Sequence, residues 1–494
     1  MIFCTFYIIF SLITYKQYGI TNDEKARYSY GKALLSYFLN PVSKGLPEEL
    51  LKEPDIYSFY TLVLNIFNPK FYYETFHLLN MLFALLIFIT AYFLFYAYTK
   101  NQKLAILSPL MLLITPSFSG QIPANPIDVP LATAYLISLY LIYIFRNEKL
   151  NFLKIMGLGI SFWFTQSIRP VGFSIYVVYC LFSIYIYFQN SRNKISLKTS
   201  LDSLLTGVIA LILIFVVANF FMIITWPYIG LNYFGNLYSV IALSFNYSNW
   251  SKPVLFMGSF ITHEHRPWFY LPVYIFLTTP LYIVVLYILN IISLRKLWHN
   301  QLLVLLNIPI IICFSAYLIL SPIIYNGLRH FLFLIPLITL SACINLIYLP
   351  KRLVVPPVIL NVLFVIVSIF QLHPFEYAYF NEITFGLKGA TNSFETDYFG
   401  ASYKESAEWI RNKYVPTSSN KQLKVYACDV SYAVDYYSHK KFITTIKGQE
   451  ADLIICDYEG FLQNNYKGKI LYTVKRQDTP LNFVLETPYY SSKI

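Results

Sequence analysis

The residues best suited to chemistry in this chain are a few acids and bases set at the ends of apolar runs. Asp23 and Glu24 are adjacent in the stretch Gly19–Tyr30, GITNDEKARYSY, just after an apolar run that ends near Tyr15. Charge placed where an apolar helix ends needs a partner, a substrate or water. Asp128 lies in QIPANPIDVP, where Pro126 and Pro130 hold it in a rigid turn at the start of another apolar run. Such an acid serves either as a helix cap or as a group facing a cavity. The basic candidates occupy similar places: Arg169 in SIRPVG, Arg266 in THEHRPWFY, and Arg329 with His330 in NGLRHFLF. One arginine at a helix entrance can simply reach for lipid headgroups. Three such positions on the side that also holds the acids point to a phosphate site, because guanidinium pairs well with phosphate oxygens. His263 and His265 form an HxH pair, a weak signal for a divalent metal.

The elements that position these residues are read from the hydropathy. Of the 494 residues, 57% are hydrophobic and only 13% charged, against about 25% charged in a soluble domain. The expected fold is a mainly α-helical, polytopic membrane protein. Apolar runs at 1–15, 77–99, 104–119, 129–146, 152–168, 171–189, 203–227, 267–291, 302–320, 328–348 and 353–371 give about eleven spans, several shorter than the roughly 20 residues a crossing needs. The first run has no basic n-region and no cleavage site, so it reads as a spanning helix and not a signal peptide.

Net charge of +12 does not mark a nucleic-acid binder, because outside the tail most basic residues lie in short loops between apolar runs. Twelve of them fall in alternate loops, from Lys100 to Arg352, while the short loops opposite carry only Arg169 and Arg329. The basic set marks the cytoplasmic side. The loops 16–76, 120–128 and 228–266 and the tail after Leu372 then fall on the non-cytoplasmic side, with every candidate residue. Residues 1–372 read as the membrane domain and 373–494 as a small soluble α/β domain. In the latter, Leu423–Ala427 and Leu453–Cys456 have buried-strand patterns, Ile470–Val474 and Leu481–Leu485 read as a strand pair, and Lys404–Lys413 as an amphipathic helix. Cys428 and Cys456, the two cysteines of this polar segment, suit either one disulfide or two buried thiols. No Gly-rich phosphate loop, dinucleotide fingerprint or internal repeat is present.

Taken together, these motifs resemble the GT-C superfamily of membrane glycosyltransferases. The likeness is to the family 39-like branch that holds the protein O-mannosyltransferases and the lipid A aminoarabinose transferase, in its bacterial form. Asp23-Glu24 matches the acidic motif after the first span. Asn125-Pro126-Ile127-Asp128-Val129-Pro130 matches the acid of the second outer loop, with Ile127 where the family has lysine. Val254–Gly258, Pro267–Pro272, Thr278-Thr279-Pro280, Gly327–Phe331, His373–Tyr377 and Asn381-Glu382 are similar to further family patterns, up to about Trp409. The resemblance implies a transferase that moves a hexose- or pentose-type sugar from a polyprenyl-phosphate carrier to a lipid, glycan or protein acceptor, at the outer face of a bacterial inner membrane. It implies Asp23 as base, with Glu24 in support, Asp128 orienting acceptor or sugar, and Arg169, Arg266, Arg329 and His330 around the phosphate. A divalent metal is optional, and no nucleotide sugar is needed. Two other classes fit a polytopic chain: a flippase for lipid-linked sugars and a non-catalytic envelope assembly protein. A transporter is expected to carry its ionisable groups near mid-membrane; here they sit at helix ends.

Overall fold

The computed structural model describes residues 2–39, 72–191, 197–245, 252–292, 298–415, 423–446, 448–466 and 468–487. Residues 40–71 of the expected first outer loop lie outside the described residues, as does the side chain of His263.

Each of the eleven apolar runs is helical, as burying a backbone in hydrocarbon requires. Six helices among the described residues are long and apolar enough to cross a membrane: Tyr73–Thr99, Asp128–Phe145, Pro170–Gln189, Gly207–Thr225, Gln301–Leu320 and Lys351–Leu372. Ile2–Thr14, Gln102–Leu113, Leu281–Ile292 and Leu334–Tyr348 are shorter apolar helices. Two runs expected to be continuous are broken by proline. Run 267–291 divides into Tyr270–Thr278 and Leu281–Ile292. Between them Thr279 is extended, with φ −90° and ψ 138°, because Pro280 excludes its predecessor from the helical region and has no N–H to donate. Run 104–119 divides likewise, with Pro116 opening a new turn at Pro116–Ser119.

Helices Asp128–Phe145 and Phe152–Ile168 pack side by side through a short connection. The start of the first and the end of the second therefore share one end of the bundle, which brings Asp128 and Arg169 together. Val254–Phe256 (β1) and Ser259–Ile261 (β2) form a hairpin. Its turn residues, Met257 and Gly258, both have positive φ, 50° and 81°, the arrangement of a tight hairpin turn. The Gly258 N–H donates to the Ser393 carbonyl at 3.1 Å, seating the hairpin on the C-terminal part.

After Leu372 the chain carries a small mixed sheet near its C-terminus. Its five strands are Lys424–Ala427 (β3), Ile443–Thr445 (β4), Leu453–Asp457 (β5), Lys469–Arg476 (β6) and Thr479–Glu486 (β7), in the order β4-β3-β5-β7-β6. The first three are parallel; β7 pairs antiparallel with both β5 and β6. The expected strand segments and the helix at Tyr403–Trp409 are all present. Of the two states open to Cys428 and Cys456, the structure has the disulfide, which ties the segment after β3 to β5.

The domain is seated on the membrane part by polar contacts. Lys404 Nζ donates to the carbonyls of Lys16 and, at 3.1 Å, Tyr18. Burial lowers the Lys404 pKa, with nearby acids opposing. Arg476 pairs with Glu405 and donates from Nε to the His373 carbonyl at 2.8 Å.

Candidate functional site

The acids and arginines that were far apart in sequence meet at one end of the helix bundle. Asp128 is the first residue of helix Asp128–Phe145 and is fully buried. Its carboxylate is not the cap. That role falls to Asn125, whose Oδ1 accepts from the N–H groups of Ile127 (3.2 Å) and Asp128 (2.9 Å), as a capping amide does. The Asn125 amide group donates from Nδ2 to Asp128 Oδ2 at 3.0 Å and to Gln121 Oε1 at 2.9 Å. The Asp128 carboxylate is thus free to face two arginines. Arg169 Nε lies 2.6 Å from Oδ1, and Arg329 Nε lies 3.7 Å from Oδ2.

Arg329 also reaches the other acid: its Nη2 stands 2.7 Å from Asp23 Oδ2. One guanidinium therefore spans Asp23 and Asp128, which a planar fork can do and a point charge cannot. Arg329 is 3% exposed. The rings of Tyr325 and Phe399 flank its guanidinium, with centroids 5.7 and 5.6 Å away, within the range of cation–π attraction. The two acids differ in access. The Asp128 side chain is 1% exposed, that of Asp23 18%, and that of Arg169 24%. The opening of the site is on the side of Asp23 and Arg169.

Glu24 does not face this opening. It is 2% exposed and begins helix Glu24–Leu39. Its Oε1 accepts from the Thr21 N–H at 2.9 Å and lies 3.0 Å from the Thr21 hydroxyl. Thr21-x-x-Glu24 is the spacing of a capping box, with the acid reaching back to the threonine N–H. His77 completes the arrangement, with Nε2 3.0 and 3.1 Å from the two Glu24 oxygens and Nδ1 3.3 Å from the Tyr15 carbonyl. Glu24 is spent on holding the loop that presents Asp23.

The other basic candidates are at the margin. Arg266 makes a long contact from Nη1 to the Pro322 carbonyl, 3.4 Å, and lies 5.3 Å from the Tyr270 ring centroid. Its buried Nε has no hydrogen-bond partner among the described residues. His330 packs edge-on against Tyr325, ring centroids 4.6 Å apart. His265 is exposed and pairs with the Thr262 hydroxyl at 3.1 Å. Among the described residues no three His, Cys, Asp or Glu side chains gather in a metal-ligand cluster.

Several residues of the site were not expected from the sequence. The Thr21–Glu24 spacing was legible as a capping box, and Asn125 lies in the motif Asn125–Pro130; His77 and the aromatic pair Tyr398-Phe399 carried no such mark. The Asn22 N–H donates to the Phe399 carbonyl at 3.1 Å, and the Tyr398 carbonyl accepts from Asn22 Nδ2 at 3.1 Å and Asn326 Nδ2 at 3.3 Å.

This arrangement, a bundle of apolar helices with a small mixed sheet near the C-terminus, has its like among solved structures. Among solved structures, ArnT from Cupriavidus metallidurans bound to undecaprenyl phosphate superposes with a TM-score of 0.51 at 11% identity, covering 97% of each chain. Its apo form gives 0.51 at 12%, again over 97% of each chain. AglB from Archaeoglobus fulgidus, in complex with an inhibitory peptide and a dolichol-phosphate, gives 0.45 at 12%, covering 99% of this chain and 77% of that one. No family model matches this chain, and no curated protein does.

Proposed function

We propose that this protein is a membrane glycosyltransferase that takes a sugar from a polyprenyl-phosphate carrier and passes it to a hydroxyl or similar nucleophile on a lipid, glycan or protein acceptor. The observation that carries this reading is the pair Asp23 and Asp128 held by one guanidinium, with Arg169 and Arg266 at the margin, in a fold shared with a protein solved with undecaprenyl phosphate.

Asp23 is the base, because it is the more exposed of the two acids. The acceptor oxygen attacks the anomeric carbon of the sugar while its proton passes to the Asp23 carboxylate. The bond from that carbon to the phosphate oxygen breaks, and the carrier departs as a phosphate monoester. Attack opposite the leaving group inverts the anomeric centre. Asp128 orients the reacting groups through Arg329 and Arg169. Phosphate falls to Arg169, which is part open to solvent, and to Arg266, whose Nε is not otherwise used. His330 lines the same margin. A divalent ion is not required by this scheme.

The sugar is of hexose or pentose type and the membrane a bacterial inner membrane, with the C-terminal domain outside the cytoplasm. Two observations support that orientation: the basic bias of the opposite loops and the Cys428–Cys456 disulfide, since disulfides persist in oxidising compartments. The test is transfer from radiolabelled polyprenyl-phosphate sugars in membranes with and without the protein, with mass spectrometry of surface glycans from cells with and without the gene. Identical products in both pairs would refute the reading.

A further inference from the structure

The C-terminal domain does more than sit on the bundle. The turn from Thr396 to Ser402 contacts Asn22, next to Asp23, on one side and Arg329 on the other. On the Asp23 side, Asn22 is bound at two points, its N–H by the Phe399 carbonyl and its amide by the Tyr398 carbonyl, both at 3.1 Å. Gly19 lies against the same turn so closely that a Cβ there would fall 2.1 Å from the Ala401 carbonyl oxygen. The Tyr432 hydroxyl donates to the Thr21 carbonyl, and the Tyr437 hydroxyl accepts from the Ile20 N–H at 3.1 Å. Residues 19–22, which lead into Asp23, are therefore held by the C-terminal domain at every step. On the Arg329 side, the Phe399 ring covers the guanidinium and the Tyr398 carbonyl binds Asn326, three residues earlier.

The turn is itself anchored. Asp397, 3% exposed, accepts from the Tyr377 hydroxyl and from both the N–H (3.2 Å) and the hydroxyl of Ser402. Glu459 accepts from the Thr396 N–H at 2.6 Å and its hydroxyl at 2.9 Å. Gly400, with φ of +72°, supplies the left-handed bend.

We infer that the turn Thr396–Ser402 is a positioning element of the reaction centre, with Phe399 and Asn22 setting the distance and angle between Asp23 and Arg329. This rests on the transferase reading above. A role of that kind acts on the chemical step, since a base displaced by an ångström loses much of its effect. A role confined to holding the domains together would act on stability alone.

The experiment uses the full-length protein, reconstituted in nanodiscs, with a radiolabelled polyprenyl-phosphate sugar as donor. Phe399→Leu removes the ring face from Arg329 while keeping an apolar side chain, and Asn22→Ala removes the amide bond to Tyr398 but leaves the backbone bond. Each is expected to lower kcat about three- to tenfold per folded molecule, with the donor KM little changed. Phe399→Tyr, which restores the ring face, should recover most of the loss. Asp23→Asn is the internal control. If it abolishes transfer while kcat is unchanged in both Phe399→Leu and Asn22→Ala, the turn does not position the centre. If Asp23→Asn itself keeps near-normal transfer, there is no base to position and this inference falls with the assignment of Asp23.

Discussion

Asp23 and Asp128, 105 positions apart in sequence, contact the same guanidinium: Arg329 Nη2 is 2.7 Å from the first and Arg329 Nε 3.7 Å from the second. The arginine was expected among the phosphate ligands. In this structure it contacts both carboxylates and is 3% exposed. Arg329→Lys keeps the charge but puts one ammonium where a fork spans two acids. Transfer is expected to fall about tenfold or more, equivalent to ~1.4 kcal/mol of transition-state stabilisation. Insertion into the membrane, followed by fractionation, should be unchanged. Full activity in the lysine variant would show that no fork is needed.

Asp128 is buried against Arg169 and Arg329, so its removal takes the carboxylate from Arg169 and leaves Arg329 with Asp23 alone. Removing one member of a buried pair typically costs about 3–5 kcal/mol. Asp128→Ala should therefore lower both the melting temperature in detergent and the transfer rate. The contrast is Asp23, which is part open: Asp23→Asn should leave the melting temperature close to that of the parent. Equal thermal losses in the two would mean that the two acids are buried alike.

Glu24 is predicted to be a loop-holding residue and not a reacting one. Its oxygens are taken by Thr21 and His77. Glu24→Ala should cost about 1–2 kcal/mol, the scale of a lost cap with its side-chain partners, seen as a lower melting temperature. Transfer should fall less than in Asp23→Asn. A loss of transfer as deep as that of Asp23→Asn would make Glu24 the base.

The C-terminal domain should be more stable in mild acid than in mild alkali. Burial raises the carboxyl of Asp397 to about 7, with the Ser402 and Tyr377 hydrogen bonds opposing. Burial and the neighbouring Asp457 raise Glu459 to about 8. Both values exceed the ordinary ones of 3.8 and 4.5. Between those ordinary values and the raised ones, the folded chain holds protons that the unfolded chain has released. Stability is then greatest below the ordinary values and is lost as pH rises toward 7 and 8. Thermal melts at pH 5 should exceed those at pH 8.5, and Asp397→Asn should shrink the difference. A melt that rises with pH across this window would contradict the assignment.

The disulfide closes a sequence separation of 28 residues. The chain-entropy argument gives such a loop about 3–4 kcal/mol. Cys428→Ser with Cys456→Ser should lower the melting temperature of the C-terminal domain, and labelling of free thiols in the intact protein should find neither cysteine. Ready labelling of Cys456 without reductant would place the domain in a reducing compartment.

Much of this architecture was legible because hydropathy sets it directly. Apolar runs became helices, and the strand patterns of the tail became β3, β5, β6 and β7. The breaks at Pro116 and Pro280 were marked by proline but masked by the apolar residues around them. Gathering Asp23, Asp128, Arg169 and Arg329 at one end followed from their common place at helix termini. How they pair did not, because pairing depends on the angles at which helices meet. Asn125 took the cap that Asp128 was equally able to provide, since both are short acceptors within one turn. Phe399 and His77 are ordinary residues in their own segments, and only the docking of distant elements gives them a place in the site.

The central claim is that Asp23 takes the acceptor proton, and its most direct test is the rate of transfer by Asp23→Asn from a radiolabelled polyprenyl-phosphate sugar in membranes. Asparagine keeps the shape and reach of the side chain but cannot accept the proton. The account predicts a fall of about 10²–10⁴-fold, the usual range for a lost general base, at parental expression. Near-normal transfer by this variant would contradict it, and loss in Asp128→Asn alone would move the base to Asp128.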